Sequence, residues 1–200
     1  MRFAPTSFRP TFGRALAIAM CVLAAAGLVG FVVAGDVAAL TRYAWPLLLL
    51  AAVALALFWF PSLDIQEHEI TVRNVFSTIH VPWPAIQRID TKYALTLYTS
   101  EGTVTVWASP APNRYASQMA DTKDARLAAR AAGTNPRPGD LPTTVSGAAA
   151  FVIRSHWDDL REAGLLENGV EPGSLRRSIH WPTIAVLGGL VVASVLGFAL

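Results

Sequence analysis

Three long apolar runs constrain this chain more than any other feature of its sequence. They occupy residues 15–34, 44–60 and 181–200. None of them contains a charged side chain, and each is close to the ~20 residues that a helix needs to cross the hydrocarbon core of a bilayer. The sequence therefore predicts an integral membrane protein with three transmembrane helices.

The first apolar run has one alternative interpretation, a cleaved secretory signal. The apolar core of such a signal is shorter, and Val33-Ala34-Gly35 is a poor match to the small-residue cleavage site. A retained transmembrane helix is therefore the preferred interpretation.

Basic residues near the ends of the runs predict the orientation. The N-terminal arm, residues 1–14, contains three arginines and no acid, whereas the turn expected at residues 35–43 contains only Arg42. Cytoplasmic flanks carry an excess of Lys and Arg. We therefore expect the N-terminal arm and residues 61–180 in the cytoplasm and the C-terminus outside. Four arginines are predicted to anchor the ends of the spans on anionic lipid, at about 1 kcal/mol each: Arg9, Arg14, Arg176 and Arg177.

Small residues recur every four positions in all three runs, a spacing that lets helix backbones approach closely. We expect them to pack mainly against the other spans of the same chain, with packing against another protein as the alternative. They are Ala26, Gly30 and Ala34 in the first run, Ala52 and Ala56 in the second, and Gly189, Ala193 and Gly197 in the third.

The stretch between the second and third runs begins with a strand-like alternation of apolar and polar residues. Six short strands are expected, at residues 63–66, 70–74, 79–83, 86–93, 95–98 and 103–107. Gly102 supplies the tight turn before the last of them. Short strands joined by tight turns predict an antiparallel β domain.

A helix is expected to follow an insert of helix and loop at residues 109–146. Within the insert, residues 113–132 are predicted to be helical. The later helix should begin at the cap Ser146 and end at Ala163 before Gly164. Its apolar face, formed by Ala149, Ile153, Trp157 and Leu160, should pack against the sheet.

The phrase V-R-N-V-F-S-T-I-H-V-P-W-P-A-I-Q-R-I, residues 72–89, resembles the PH-domain-containing membrane proteins of bacteria, particularly of actinobacteria. Phe8-Arg9-Pro10 and the run from Trp157 to Leu165 also look like that family, so the resemblance covers roughly residues 8–166. It implies a cytosolic PH-like antiparallel β domain at residues 61–166, capped by its C-terminal helix, in a bacterial plasma membrane. It supplies no catalytic residues.

Other classes of site find little support. There is no nucleophile elbow, phosphate loop or dinucleotide fingerprint, so we expect no enzyme and no cofactor. The single cysteine excludes a disulfide or cysteine-based zinc site, and in a strand His68 would point away from Glu67 and Glu69, so no metal site is expected. A net charge of +2 argues against binding of nucleic acid.

A PH-like fold suggests phosphoinositide binding, which requires several basic residues on the first hairpin. This hairpin carries Gln66-Glu67-His68-Glu69 instead. The preferred hypothesis is therefore a non-enzymatic adaptor or scaffold that binds a membrane-associated protein partner through Trp83, Tyr98 and Trp107. The alternatives are an accessory subunit of a larger membrane complex, for example a respiratory one, and a module that senses anionic lipid.

Overall fold

A computed structural model describes residues 5–110, 144–166 and 174–199 of the 200-residue chain. The chain divides into two compact units, a β unit of residues 1–9 and 62–178 and a helical unit of residues 10–61 and 179–200. The helices are α1 (Thr11–Ala34), α2 (Val37–Ala54), α3 (Val145–Glu162) and α4 (Trp181–Ala199). A π-helical turn, Leu55–Trp59, continues α2.

The helical unit consists of three apolar helices that are long enough to cross a membrane: α1, α2 with its π-helical turn, and α4. Helix α2 packs against both α1 and α4. This arrangement confirms the three candidate spans predicted from the sequence.

The turn between α1 and α2 is shorter than the sequence suggested. Gly35 ends α1 with a φ of 66°, and the Asp36 side chain caps α2 by accepting a hydrogen bond from the Ala39 amide at 2.8 Å. The predicted turn at residues 35–43 is wrong, because two capping residues suffice and α2 begins at Val37. Arg42 therefore lies inside α2, and so does Pro46.

Gly197 of α4 lies against an interrupted part of the α2 backbone. Proline has no amide hydrogen, so Pro46 leaves the carbonyl of Arg42 without its usual helical donor. A Cβ atom added at Gly197 would lie 3.4 Å from the carbonyl oxygens of Thr41 and Arg42 and 3.3 Å from Trp45 Cδ1. The missing side chain thus allows α4 to approach α2 closely.

The small-residue stripes meet different surroundings. On α1 the predicted stripe of Ala26, Gly30 and Ala34 is exposed, so the expectation that it packs on the chain's own helices is wrong. The small residue of α1 that lies against α2 is Gly27 instead, since a Cβ atom added to it would be 3.1 Å from Leu47 Cδ1. In a helix rich in alanine and glycine, spacing alone does not fix which stripe faces the neighbour. The remaining predicted residues divide into the buried Ala56, the half-buried Ala52, Ala193 and Gly197, and the exposed Gly189.

The β unit contains two antiparallel sheets. The strands are β1 (Thr6–Phe8), β2 (Ser62–Ile65), β3 (Glu69–Arg73), β4 (Ser77–Pro82), β5 (Ile86–Asp90), β6 (Ala94–Thr99), β7 (Gly102–Pro110) and β8 (Arg176–Ile179). The larger sheet has the strand order β1-β2-β3-β4-β8 and the smaller β5-β6-β7. The six predicted strands correspond to β2–β7, and a 3₁₀ turn, Trp83–Ala85, joins the two sheets.

Two details of the strands depart from expectation. β5 ends at Asp90 rather than at residue 93, because the Asp90 carboxylate accepts hydrogen bonds from the amides of Thr91 and Lys92 at 2.7 and 3.0 Å and forms a turn. The edge strands β1 and β8 were not anticipated. β1 is contributed by the N-terminal arm, and Ser7 pairs with Asp64 of β2.

Helix α3 covers the core of the β unit. Ala149 and Ile153 are fully buried, and Trp157 and Leu160 pack at the margin of the core, as the helical spacing predicted. The cap is Thr144, whose hydroxyl accepts from the Gly147 amide at 3.0 Å; the predicted cap, Ser146, is buried in the first turn. The predicted insert at 109–146, with its helix, lies outside the described residues except at its ends.

Candidate functional site

The turn between β2 and β3 is where basic residues would be needed for a phosphorylated headgroup. Here the exposed side chains are Gln66, Glu67 and His68. The turn is held in place because the Trp83 indole Nε1 donates to the carbonyl of Gln66 at 3.0 Å. The His156 ring packs edge-on against Trp83, with 4.7 Å between the ring centroids. The turn is therefore anchored to the core but presents no lysine or arginine.

Glu69, the first residue of β3, already has two basic partners. His80 Nδ1 lies 2.8 Å from Glu69 Oε1, and Arg176 Nη2 lies 3.2 Å from Glu69 Oε2. Partial burial raises the pKa of Glu69, but hydrogen bonds and charge interactions with His80 and Arg176 outweigh this effect and leave the pKa below its ordinary value of 4.5. The carboxylate therefore stays ionised and ties β3 to β4 and β8.

A groove lies between β5 and α3. In the part of the chain that the structure describes, β5 pairs only with β6, so its other edge faces this groove. The groove encloses about 250 Å³. Its walls are four consecutive residues of β5, Ile86 to Ile89, and a stripe of α3 formed by Arg154, Trp157 and Asp158. This combination of an edge strand and a helix wall can receive an extended peptide.

The three aromatic residues predicted to contact a partner differ in how far they are buried. Trp83 is only 1% exposed and belongs to the core, so its prediction as a contact residue is wrong: the side chain anchors the β2–β3 turn. Tyr98 is half-buried on the outer face of the smaller sheet, and the Arg88 guanidinium lies 3.9 Å from its ring centroid. Trp107 is 49% exposed. Tyr98 and Trp107 thus remain candidate contacts.

Asn74 is a structural residue whose role the sequence did not reveal. Its amide nitrogen donates to the Thr105 carbonyl at 2.8 Å, and its amide oxygen accepts from the Trp107 amide at 3.0 Å. One side chain therefore satisfies two backbone groups of β7, as a neighbouring strand would. Asn74 belongs to the phrase that resembles the bacterial family, but only the fold shows which backbone groups its side chain binds.

The four predicted lipid anchors lie in three settings. Arg9 and Arg177 are exposed. Arg14 lies in the first turn of α1, where its guanidinium is 5.1 Å from the centroid of the Trp59 ring. Arg176 pairs with Glu69, as described above. Among residues 5–110, 144–166 and 174–199, no cluster of three metal-ligating side chains is found.

Comparisons with known proteins agree with the fold. Residues 60–141 match the bacterial PH domain family. The comparison with curated proteins and the comparison with solved structures gave no match. The matched segment contains β2–β7, and α3 follows it in the β unit. The match therefore identifies residues 60–141 of this chain as a bacterial PH domain segment.

Proposed function

We propose that the chain is a non-enzymatic membrane adaptor whose PH-like domain binds an extended segment of a protein partner on the cytoplasmic side. The single observation that carries this proposal is the groove between β5 and α3. An edge strand offers backbone amides and carbonyls to an added strand, and the pockets beside it select side chains. Tyr98 and Trp107, on the adjoining outer face, would extend the contact.

The charges of the groove favour a partner segment of mixed or acidic character. Arg88 is exposed, and Arg154 and Asp158 line the opposite wall, so the three charged side chains that line the groove sum to +1. Arg154 Nη2 donates to the Ile89 carbonyl at 3.5 Å, a long contact that holds the wall near the strand. An acidic side chain of the partner segment beside Arg88 would balance the excess positive charge of the groove.

Recognition of an inositol-lipid headgroup by the β2–β3 turn is not favoured. Glu67 is exposed there, and both carboxylate oxygens of Glu69 already accept from basic partners. A phosphorylated headgroup would meet the Glu67 carboxylate there, and the nearby Arg176 guanidinium is already paired with Glu69. Protein contact therefore fits the domain better than headgroup recognition at this turn.

The test is recovery of a partner from native membranes. The full-length tagged protein is solubilised in mild detergent, and co-purified proteins are identified by mass spectrometry. We expect a stoichiometric protein that the wild type retains and that Arg88→Glu loses. The matched control is Arg73→Glu, the same charge reversal at an exposed residue of β3, which should retain the partner. Recovery of the protein alone, or equal retention by both variants, would contradict the proposal.

A further inference from the structure

A cavity in the helical unit offers a second site, distinct from the PH-like domain. It encloses about 830 Å³ beside the turn between α1 and α2. Its walls come from α2 and α4, and several are small, including Ala38, Ala39, Ala193 and Gly197. The apolar part of such a cavity, between helices long enough to cross a membrane, is best filled by an apolar group, because bare apolar walls lose their packing contacts.

Arg42 supplies a charge in an unusual position within this cavity. It lies five residues after the first residue of α2, inside a candidate membrane span. Its guanidinium is 5.7 Å from the centroid of the Phe198 ring. Within the described residues no carboxylate forms an ion pair with it, and charged groups inside spans are normally paired. A guanidinium recognises carboxylate and phosphate groups through paired hydrogen bonds, and a lipid supplies the phosphate.

Asp36 lies on the same cavity and restricts the kind of headgroup. One of its oxygens accepts from the Ala39 amide, but a carboxylate has about four acceptor positions. Arg42 and Asp36 are the two charged residues among those that line the cavity, so the lining is electrically neutral. A headgroup with one negative phosphate and one positive amine complements this pair. An anionic headgroup would instead place a negative charge near the Asp36 carboxylate with no amine to balance it.

We propose that this cavity binds one phospholipid of zwitterionic, amine-bearing headgroup, with the phosphate on Arg42, the amine towards Asp36 and an acyl chain along α2 and α4. Tyr43 and Trp45 flank the cavity, and aromatic side chains of this type prefer the level of the headgroups. The lipid would also cover the part of α2 where Pro46 interrupts the backbone hydrogen bonds.

Native mass spectrometry of the full-length protein provides the test. The protein is released from nanodiscs containing equal amounts of phosphatidylethanolamine and phosphatidylglycerol, and the retained lipid is identified. We expect the wild type to retain one phosphatidylethanolamine. Arg42→Gln should reduce retention roughly ten- to a hundredfold, the loss expected for a charge-assisted hydrogen bond. Asp36→Asn should move the preference towards phosphatidylglycerol.

Two further variants keep the result interpretable. Ala193→Leu fills the cavity without changing its charges and should also release the lipid. Arg73→Gln removes an exposed positive charge of β3, which does not line the cavity, and this variant should retain the lipid. Helical circular dichroism checks that each variant is folded. Undiminished retention by both Arg42→Gln and Ala193→Leu, or a wild-type preference for phosphatidylglycerol, would overturn the proposal.

Discussion

Replacement of Asn74 by aspartate tests the architecture of the β unit with almost no change of shape. Asn74 donates to the Thr105 carbonyl and accepts from the Trp107 amide. An aspartate keeps the acceptor but loses the donor, and its carboxylate would face the Thr105 carbonyl oxygen at the 2.8 Å that the amide nitrogen occupies now. The substitution therefore exchanges a hydrogen bond for a repulsion.

The magnitude follows from the net free energy of the bonds. Each hydrogen bond contributes about 1 kcal/mol, and the half-buried position allows water to replace part of it. We expect Asn74→Ala to lower the free energy of unfolding by about 1.5 kcal/mol and Asn74→Asp by about 2 kcal/mol at pH 7. For a domain of ~100 residues, 1.5 kcal/mol corresponds to a fall in Tm of roughly 6 to 12 °C.

The assay is thermal unfolding of the full-length protein in detergent, followed by near-ultraviolet circular dichroism. Protonation restores a donor to the aspartate, so the deficit of Asn74→Asp relative to the wild type should shrink as the pH falls from 7 towards about 4. Arg73→Gln, at the exposed neighbouring residue, is the control and should melt with the wild type. An Asn74→Asp variant as stable as the wild type at pH 7 would refute the role assigned to this side chain.

Three further predictions concern packing and charge. Gly197→Leu should destabilise the helical unit by about 1 to 3 kcal/mol through overpacking, while Gly189→Leu, where an added Cβ atom would meet nothing within 4 Å, should not; helical circular dichroism during heating distinguishes them. Trp157→Ala should cost about 2 to 4 kcal/mol, but Trp157→Phe under about 1 kcal/mol, because the buried indole nitrogen has no acceptor among the described residues; equal losses in thermal unfolding would contradict this. Since the folded-state pKa of Glu69 lies below 4.5, its stabilisation is present above that pH and is lost as the pH falls through the lower value. Glu69→Gln should thus flatten the loss of stability in acid, and a slope equal to that of the wild type would count against the assigned pairs.

The sequence predicted the regular parts of the fold because those parts follow periodic patterns. The alternation of residues 63–107 gave six strands, and the four-residue spacing of Ala149, Ile153 and Trp157 gave the buried face of α3. The edge strands β1 and β8 were not predicted because three or four residues are too few to show an alternation of apolar and polar side chains. Arg42 was placed in a turn because a charge beside an apolar run suggests its end, yet Gly35 and Asp36 had already formed the caps.

The candidate site was harder to predict than the fold. Its groove depends on which edge of β5 stays unpaired and on how α3 lies beside it, and neither property is local in sequence. Trp83 shows the same limitation, since an aromatic residue beside prolines looks like an exposed anchor until the partner of its indole nitrogen is known. The absence of lysine and arginine from residues 66–69 can be read from the sequence, because it depends on composition alone.

The membership of β1 and β8 in one sheet has a consequence for biosynthesis. β1 leaves the ribosome before every other strand of this sheet and β8 after them, because the strands are numbered in chain order. Residues 6–8 must therefore wait while two apolar helices and the rest of the domain are made, and the edge of β4 stays open until Arg176 emerges. Open strand edges invite pairing with other chains. A nascent chain that stalls before residue 176 should thus be a substrate for quality control even though every helix before that point is complete.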